Sequence, residues 1–237
     1  MSVPHEPTLG IMMLEGKMST APGCMAAEET FPYPTVRHVV AGARTPRTPD
    51  DAIAMLPLYQ EAARQLVSRE VDVITANCGL IALLQQELAD AVDVPVVTSS
   101  LVSVPTVARL VGPRRRVGIL TFFRDAVGER NYVASGWSSS TIPVSVAGVD
   151  GSEAWLEFLE TKEVSPDLRR RLGADLSAAI FELLEREPTI GALVSECTML
   201  PAVLDDIREH VPVPIFDLPT TLDWALSGYQ RAAGSPR

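Results

Sequence analysis

The chain repeats itself, and the repeat limits its fold more than any composition does. The segment Asp72-Val73-Ile74-Thr75-Ala76-Asn77-Cys78-Gly79-Leu80 has the pattern of Gly191-Ala192-Leu193-Val194-Ser195-Glu196-Cys197-Thr198-Met199. Each is an apolar strand, then small or polar residues, then a cysteine at the start of a helix. Each cysteine is followed 17 residues later by a proline inside a similar strand, Val94-Pro95-Val96-Val97 and Val213-Pro214-Ile215-Phe216. Upstream, Gly10-Ile11 and Gly118-Ile119 open the two halves. The sequence therefore reads as two copies of one α/β unit.

Between these landmarks, short apolar runs alternate with helical patterns. Strands are expected at 9–13, 35–40, 71–75 and 94–98, then again at 116–120, 142–146, 190–194 and 213–217. Helices are expected at 52–68, 80–91, 104–110, 125–135, 166–187, 202–210 and from Thr221 to Arg231, with a loose tail after Gly234. Repeated strand-then-helix order implies mostly parallel sheets covered by helices. The expected fold class is thus α/β, with two similar lobes related by pseudo-twofold symmetry. The first lobe is assigned to 1–113 and the second to 114–212. Residues 213–237 supply the last strand of the second lobe and a C-terminal helix.

Composition removes several functions. Hydrophobic residues make up 46% of the 237, enough for a sizeable core, and the net charge is -10. Nucleic-acid binding shows as a basic surface, and Arg114-Arg115-Arg116 reads instead as a solvated turn before a strand. No apolar run approaches the ~20 residues that span a bilayer, and MSVPHEPT does not open like a signal peptide. The expectation is a cytoplasmic protein without nucleic-acid or membrane partners, with a homodimer as the prior. His5, His38 and His210 are scattered, and no metal-ligand spacing occurs. No glycine-rich nucleotide or phosphate loop is present, so neither a metal nor a cofactor is expected.

Ligands in open parallel sheets bind beyond the carboxyl ends of the strands. Cys78 and Cys197 both fall there, so a pseudo-twofold axis would put their thiols on opposite sides of one cleft. Cys24 has no counterpart in the repeat and reads as structural or as part of a surface loop.

At the motifs Thr75-Ala76-Asn77-Cys78-Gly79 and Ser195-Glu196-Cys197-Thr198, the chain resembles the aspartate/glutamate racemase superfamily. That group includes aspartate, glutamate and hydantoin racemases, maleate isomerase and arylmalonate decarboxylase. The first strand and the Thr98-Ser99-Ser100 turn add to the likeness. The resemblance implies two lobes, each giving one catalytic cysteine, and makes Cys78 and Cys197 an acid/base pair. Glutamate racemases differ at both motifs: they typically have Cys-Asn-Thr where Cys78 is followed by Gly79 and Leu80, and Gly-Cys-Thr-His where Glu196 precedes Cys197 and Met199 follows Thr198.

The resulting expectation is a cofactor-independent racemase or epimerase of a small carboxylate-type substrate, anionic or with an acidic C–H. A decarboxylase or cis-trans isomerase of a small dicarboxylate on the same fold is the alternative, and a non-enzymatic small-ligand-binding protein a further one. Free cysteine titrates at about 8.5, and a helix start lowers it. Thr75, Asn77, Glu196 and Thr198 are candidates to orient a thiolate; Glu196 is equally a candidate to bind a substrate ammonium, or a surface residue tethering the loop. Backbone N–H groups at Gly79 and Thr198, and the hydroxyls of Ser99, Ser100, Thr121 and Thr198, are candidates to hold a carboxylate. Like-charge repulsion from Glu196 would make Cys78 the readier base. Glu15 and Lys17 follow the first strand and are weighed as cleft residues, with Lys17 solvated.

Overall fold

The computed structural model describes residues 6–229 of the chain. The N-terminal stretch 1–5, the end of the expected C-terminal helix at Arg231 and the tail after Gly234 lie outside the described residues.

The first half runs β1 (Leu9–Met13), β2 (Thr35–Val39), α1 (Pro49–Ala54), α2 (Leu56–Val67), β3 (Val73–Ala76), α3 (Gln85–Ala89), β4 (Val96–Val97) and α4 (Val104–Val111). The second runs β5 (Arg116–Thr121), α5 (Glu129–Ala134), β6 (Val144–Gly148), α6 (Glu153–Thr161), α7 (Pro166–Arg186), β7 (Ile190–Ser195), α8 (Pro201–Ile207), β8 (Ile215–Phe216) and α9 (Leu218–Ser227). Each half forms a four-stranded sheet, in the order β2-β1-β3-β4 and β6-β5-β7-β8. Every pairing is parallel. The sequence repeat is therefore a repeat of topology. In both sheets the strand order reverses beside the first strand of the half, which is where such sheets open a crevice at their carboxyl ends.

Local chemistry explains where the elements depart from the periodicity. The single helix expected over 52–68 is two helices meeting at Met55. Pro57, at the start of α2, has no N–H to continue the ladder from α1. The helix expected to begin at 80 opens instead as a 3₁₀ stretch over Gly79–Leu84, with Cys78 at its N-cap, before α3. The C-terminal helix starts three residues earlier than expected, because the Asp217 side chain accepts from Thr220 N and caps it.

Helix α6 was absent from the sequence expectation. Ser152 caps it by accepting from Trp155 N, and Ala154, Trp155 and Phe158 form its buried stripe. Trp155 and Phe158 are fully buried in the core of the second half with Leu172, Leu176 and Ile180 of α7. Each such aromatic is worth roughly 2–3 kcal/mol of burial. This packing fixes the end of α6, and that end matters for the site.

Two features join the halves. Ser100 Oγ donates to Ser195 O (2.6 Å), and Thr198 Oγ1 donates to Asn77 O (2.7 Å), so the second cysteine loop is bonded to the first. Helix α9, although last in the chain, packs Leu218, Leu222 and Leu226 on Leu9, Ile11, Met13 and Val73 of the first sheet. Among the described residues, no helix is long and apolar enough to cross a membrane.

Candidate active site

Cys78 follows β3 directly and Cys197 follows β7. Asn77 N donates to Met12 O (3.0 Å) and Asn77 Oδ1 accepts from Leu14 N (2.8 Å), which anchors the first loop to the end of β1. Glu196 N donates to Leu120 O (2.7 Å), which anchors the second loop to β5. Ile81 N donates to Cys78 O (3.1 Å) and Leu200 N to Cys197 O (3.2 Å), and the N–H groups of Leu80, Ile81, Met199 and Leu200 favour thiolates at these turns.

Both cysteines line one cavity of about 140 Å³, with Asn77, Gly79, Thr121, Glu196 and Thr198 around them. That is the scale of an engineered cavity that takes up benzene, so the space suits a small molecule. Apolar side chains make most of the wall, among them Met18, Met25, Phe122, Phe123 and Met199.

Three of the expected site residues lie outside this cavity. Thr75 Oγ1 donates to Val97 O (2.6 Å) inside the first sheet. The Ser99 side chain accepts from Leu101 N and caps a 3₁₀ turn. Ser100 makes the bond to Ser195 O described above. All three are fully buried, and their hydroxyls are engaged in holding the scaffold. Glu15 and Lys17 also turn outward: Glu15 accepts from Gly42 N, and Lys17 forms an exposed ion pair with Glu163 (2.6 Å).

Cys24 and Lys162 are among the lining residues not singled out for the site. Cys24 is buried, as the structural reading of it has it. It reaches from the β1–β2 connection into the core of the second half, beside Leu120 and Phe122, and it lines the cavity. Lys162 follows the last residue of α6 and also lines it. Its backbone is left-handed (φ 60°), which disfavours a residue with a Cβ by roughly 1–2 kcal/mol relative to the right-handed form. Among the described residues, no carboxylate lies within ion-pair distance of its ammonium. Burial pulls the ammonium below its usual value, and negative charge on Cys197, Cys24 and Cys78 raises it again. The missed signal was the cap Ser152 followed by Ala154, Trp155 and Phe158 at helical spacing. The helix it predicts ends beside the second of the chain's two lysines.

Electrostatics also correct an expectation. Starting a helical turn was expected to lower each thiol. Burial dominates instead: it pushes Cys78 up to about 12, helped by Glu196 and opposed by the N–H groups of Leu80 and Ile81. Cys197 is raised by burial, by Glu196 and by Cys78 itself. Glu196 is also buried, which raises its carboxyl to about 7 against the bond donated by Thr121 Oγ1 (2.7 Å). Of the three groups, Glu196 is therefore the first to ionise, and both thiols are weaker acids than a free cysteine.

No family model matches the chain. The solved structure of unliganded arylmalonate decarboxylase superposes with a TM-score of 0.58 at 17% identity, over 98% of this chain and 94% of that one. An aspartate racemase homologue from Pyrococcus horikoshii OT3 gives 0.60 at 14% identity, over 94% and 99%. This is the aspartate/glutamate racemase fold. Among curated proteins sharing sequence with this racemase-fold chain, a dimethylsulfoniopropionate lyase from Durusdinium sp. clade D is 25% identical over 235 residues. The match covers 94% of this chain and 75% of that protein. Dimethylsulfoniopropionate lyase 5 from Emiliania huxleyi is 26% identical over 187 residues, covering 73% of this chain and 36% of that protein. These names overturn the racemase expectation: the sequence relatives of this racemase-fold chain are called lyases. The comparisons support an enzyme.

Proposed function

We propose that the chain is a lyase that removes a proton beside a carboxylate and expels a leaving group from the next carbon, with dimethylsulfoniopropionate as its first candidate substrate. The observation that carries this reading is the placing of Cys78, Cys197 and an unpaired lysine on one small, mostly apolar cavity, which Cys24 also lines. Lys162 holds the carboxylate, whose negative charge grows as the adjacent C–H bond breaks. A thiolate takes that proton. The C–H electrons form the new C=C bond as the C–S bond breaks, and sulfur leaves with its electron pair as a neutral dialkyl sulfide. The unsaturated carboxylate is the other product, and the cysteine then returns its proton to solvent. A sulfonium leaving group needs no protonation, so one base suffices and an opposed acid is not required.

A dicarboxylate suits the cavity less well. Among the described residues lining it, Lys162 is the one cation, and Glu196 opposes a second negative charge. The test is incubation of the purified protein with dimethylsulfoniopropionate, with headspace detection of dimethyl sulfide and chromatographic detection of acrylate. Equimolar release of both is expected, and absence of both sinks the reading. Lys162→Met is expected to raise KM by about 10- to 100-fold, as loss of a charge-assisted carboxylate contact worth roughly 1.5–3 kcal/mol. An unchanged KM would remove Lys162 from the carboxylate site.

A further inference from the structure

We infer that Glu196 reads the positive end of the substrate, so that the cavity selects carboxylates carrying an alkylated onium group. This rests on the reading above, in which Lys162 holds the carboxylate end. Glu196 is 2% exposed and lines the cavity. The one hydrogen bond to its carboxylate among the described residues comes from Thr121, and no cation of those residues lies within ion-pair distance of it. A buried carboxylate without a counter-ion is expensive. Here it lines a cavity of a small molecule's size. Lys162 lines the same space and is likewise unpaired. Two opposite charges that share a cavity without pairing with each other complement a zwitterion.

The rest of the wall narrows the cation. A primary ammonium or guanidinium brings several N–H donors, each needing an acceptor when buried. A fully alkylated onium brings none. One carboxylate beside methionine thioethers and the Phe122 and Phe123 rings is what such a group needs, since aromatic faces also attract cations.

The two departures from the racemase motifs also belong together. A Cβ on Gly79 would lie 2.2 Å from Glu196 O and 2.4 Å from Glu196 Oε1. The carboxylate thus occupies the room that a side chain after Cys78 would fill. Where glutamate racemases have asparagine after the first cysteine and glycine before the second, this chain has glycine and then glutamate. The exchange places a negative charge between the two cysteine loops.

The test is calorimetric binding at pH 8 of two carboxylates of the same shape: 3-(trimethylammonio)propionate, and 4,4-dimethylpentanoate with carbon in place of nitrogen. Wild type is expected to bind the cation at least about tenfold tighter, a modest value for a desolvated charge pair. Glu196→Gln is expected to bring the ratio to about one by weakening the cation alone. Equal binding by wild type, or a preference that survives in the variant, overturns the inference. The wild-type comparison decides even where the variant does not fold. A wild type that prefers the cation yet releases no sulfide from dimethylsulfoniopropionate keeps this inference and sinks the elimination. One that releases sulfide without that preference sinks this inference alone.

Discussion

Cys78→Ser is expected to lower kcat/KM for sulfide release by at least about a thousandfold, as removal of a general base does. Serine keeps the shape and the hydrogen bonds, but a hydroxyl is far too weak a base near neutral pH. Burial and Glu196 raise both thiols, and a charge on either holds the other protonated, so one thiolate forms at a time. We assign that thiolate to Cys78, and the two serine variants test the choice. A bound onium group adds positive charge to that which Lys162 already brings to bear on Cys78. Cys197→Ser is expected to retain activity within about tenfold of wild type, because elimination calls for one base. Initial rates of dimethyl sulfide release check both variants. A Cys78→Ser variant with a tenth or more of wild-type activity, or a greater loss at Cys197, would reverse the assignment.

Glu196→Gln is expected to stabilise the folded protein by about 3 kcal/mol at pH 8, shrinking to under about 1 kcal/mol at pH 5. Burial raises the Glu196 carboxyl to about 7. The folded protein thus keeps a proton that the unfolded chain releases near the ordinary carboxylate value. The stability linked to this proton is fully present below that ordinary value and is lost as pH rises through about 7. Glutamine stays neutral throughout and can still accept from Thr121, so it avoids the loss. Urea denaturation midpoints at the two pH values check the prediction. An equal gain at both, or no gain at pH 8, would show that the carboxyl is not raised. Retaining this glutamate despite such a loss fits a residue kept for its ligand, since functional sites commonly hold destabilising groups.

Much of this architecture was legible because strand and helix periods are local. The repeated motif located both cysteine loops, and the matched proline spacing fits the identical strand order of the two sheets. Site membership was less legible, because a hydroxyl's role depends on which acceptor the fold brings to it. Thr75, Ser99 and Ser100 sit close in sequence to the cavity loops, yet their bonds go to Val97 O, Leu101 N and Ser195 O. Thr121 and Thr198 have the same chemistry and do line the cavity. Lys162 was missed because α6 was missed. The place of Cys24 on the cavity was missed because a connection in the first half crosses into the core of the second, which no local pattern records.

The helix that ends the described chain also bears on how the protein is made. Leu218, Leu222 and Leu226 of α9 cover Leu9, Ile11, Met13 and Val73, so β1 is sealed by a helix made only after the whole second sheet. Until then, one apolar face of the earlier sheet stays open to water, to neighbouring nascent chains and to chaperones. Two look-alike halves suggest two successive folding events. The crossing of α9 makes them one event, completed only once α9 has been made, and a chain stopped at residue 212 would emerge with that face bare.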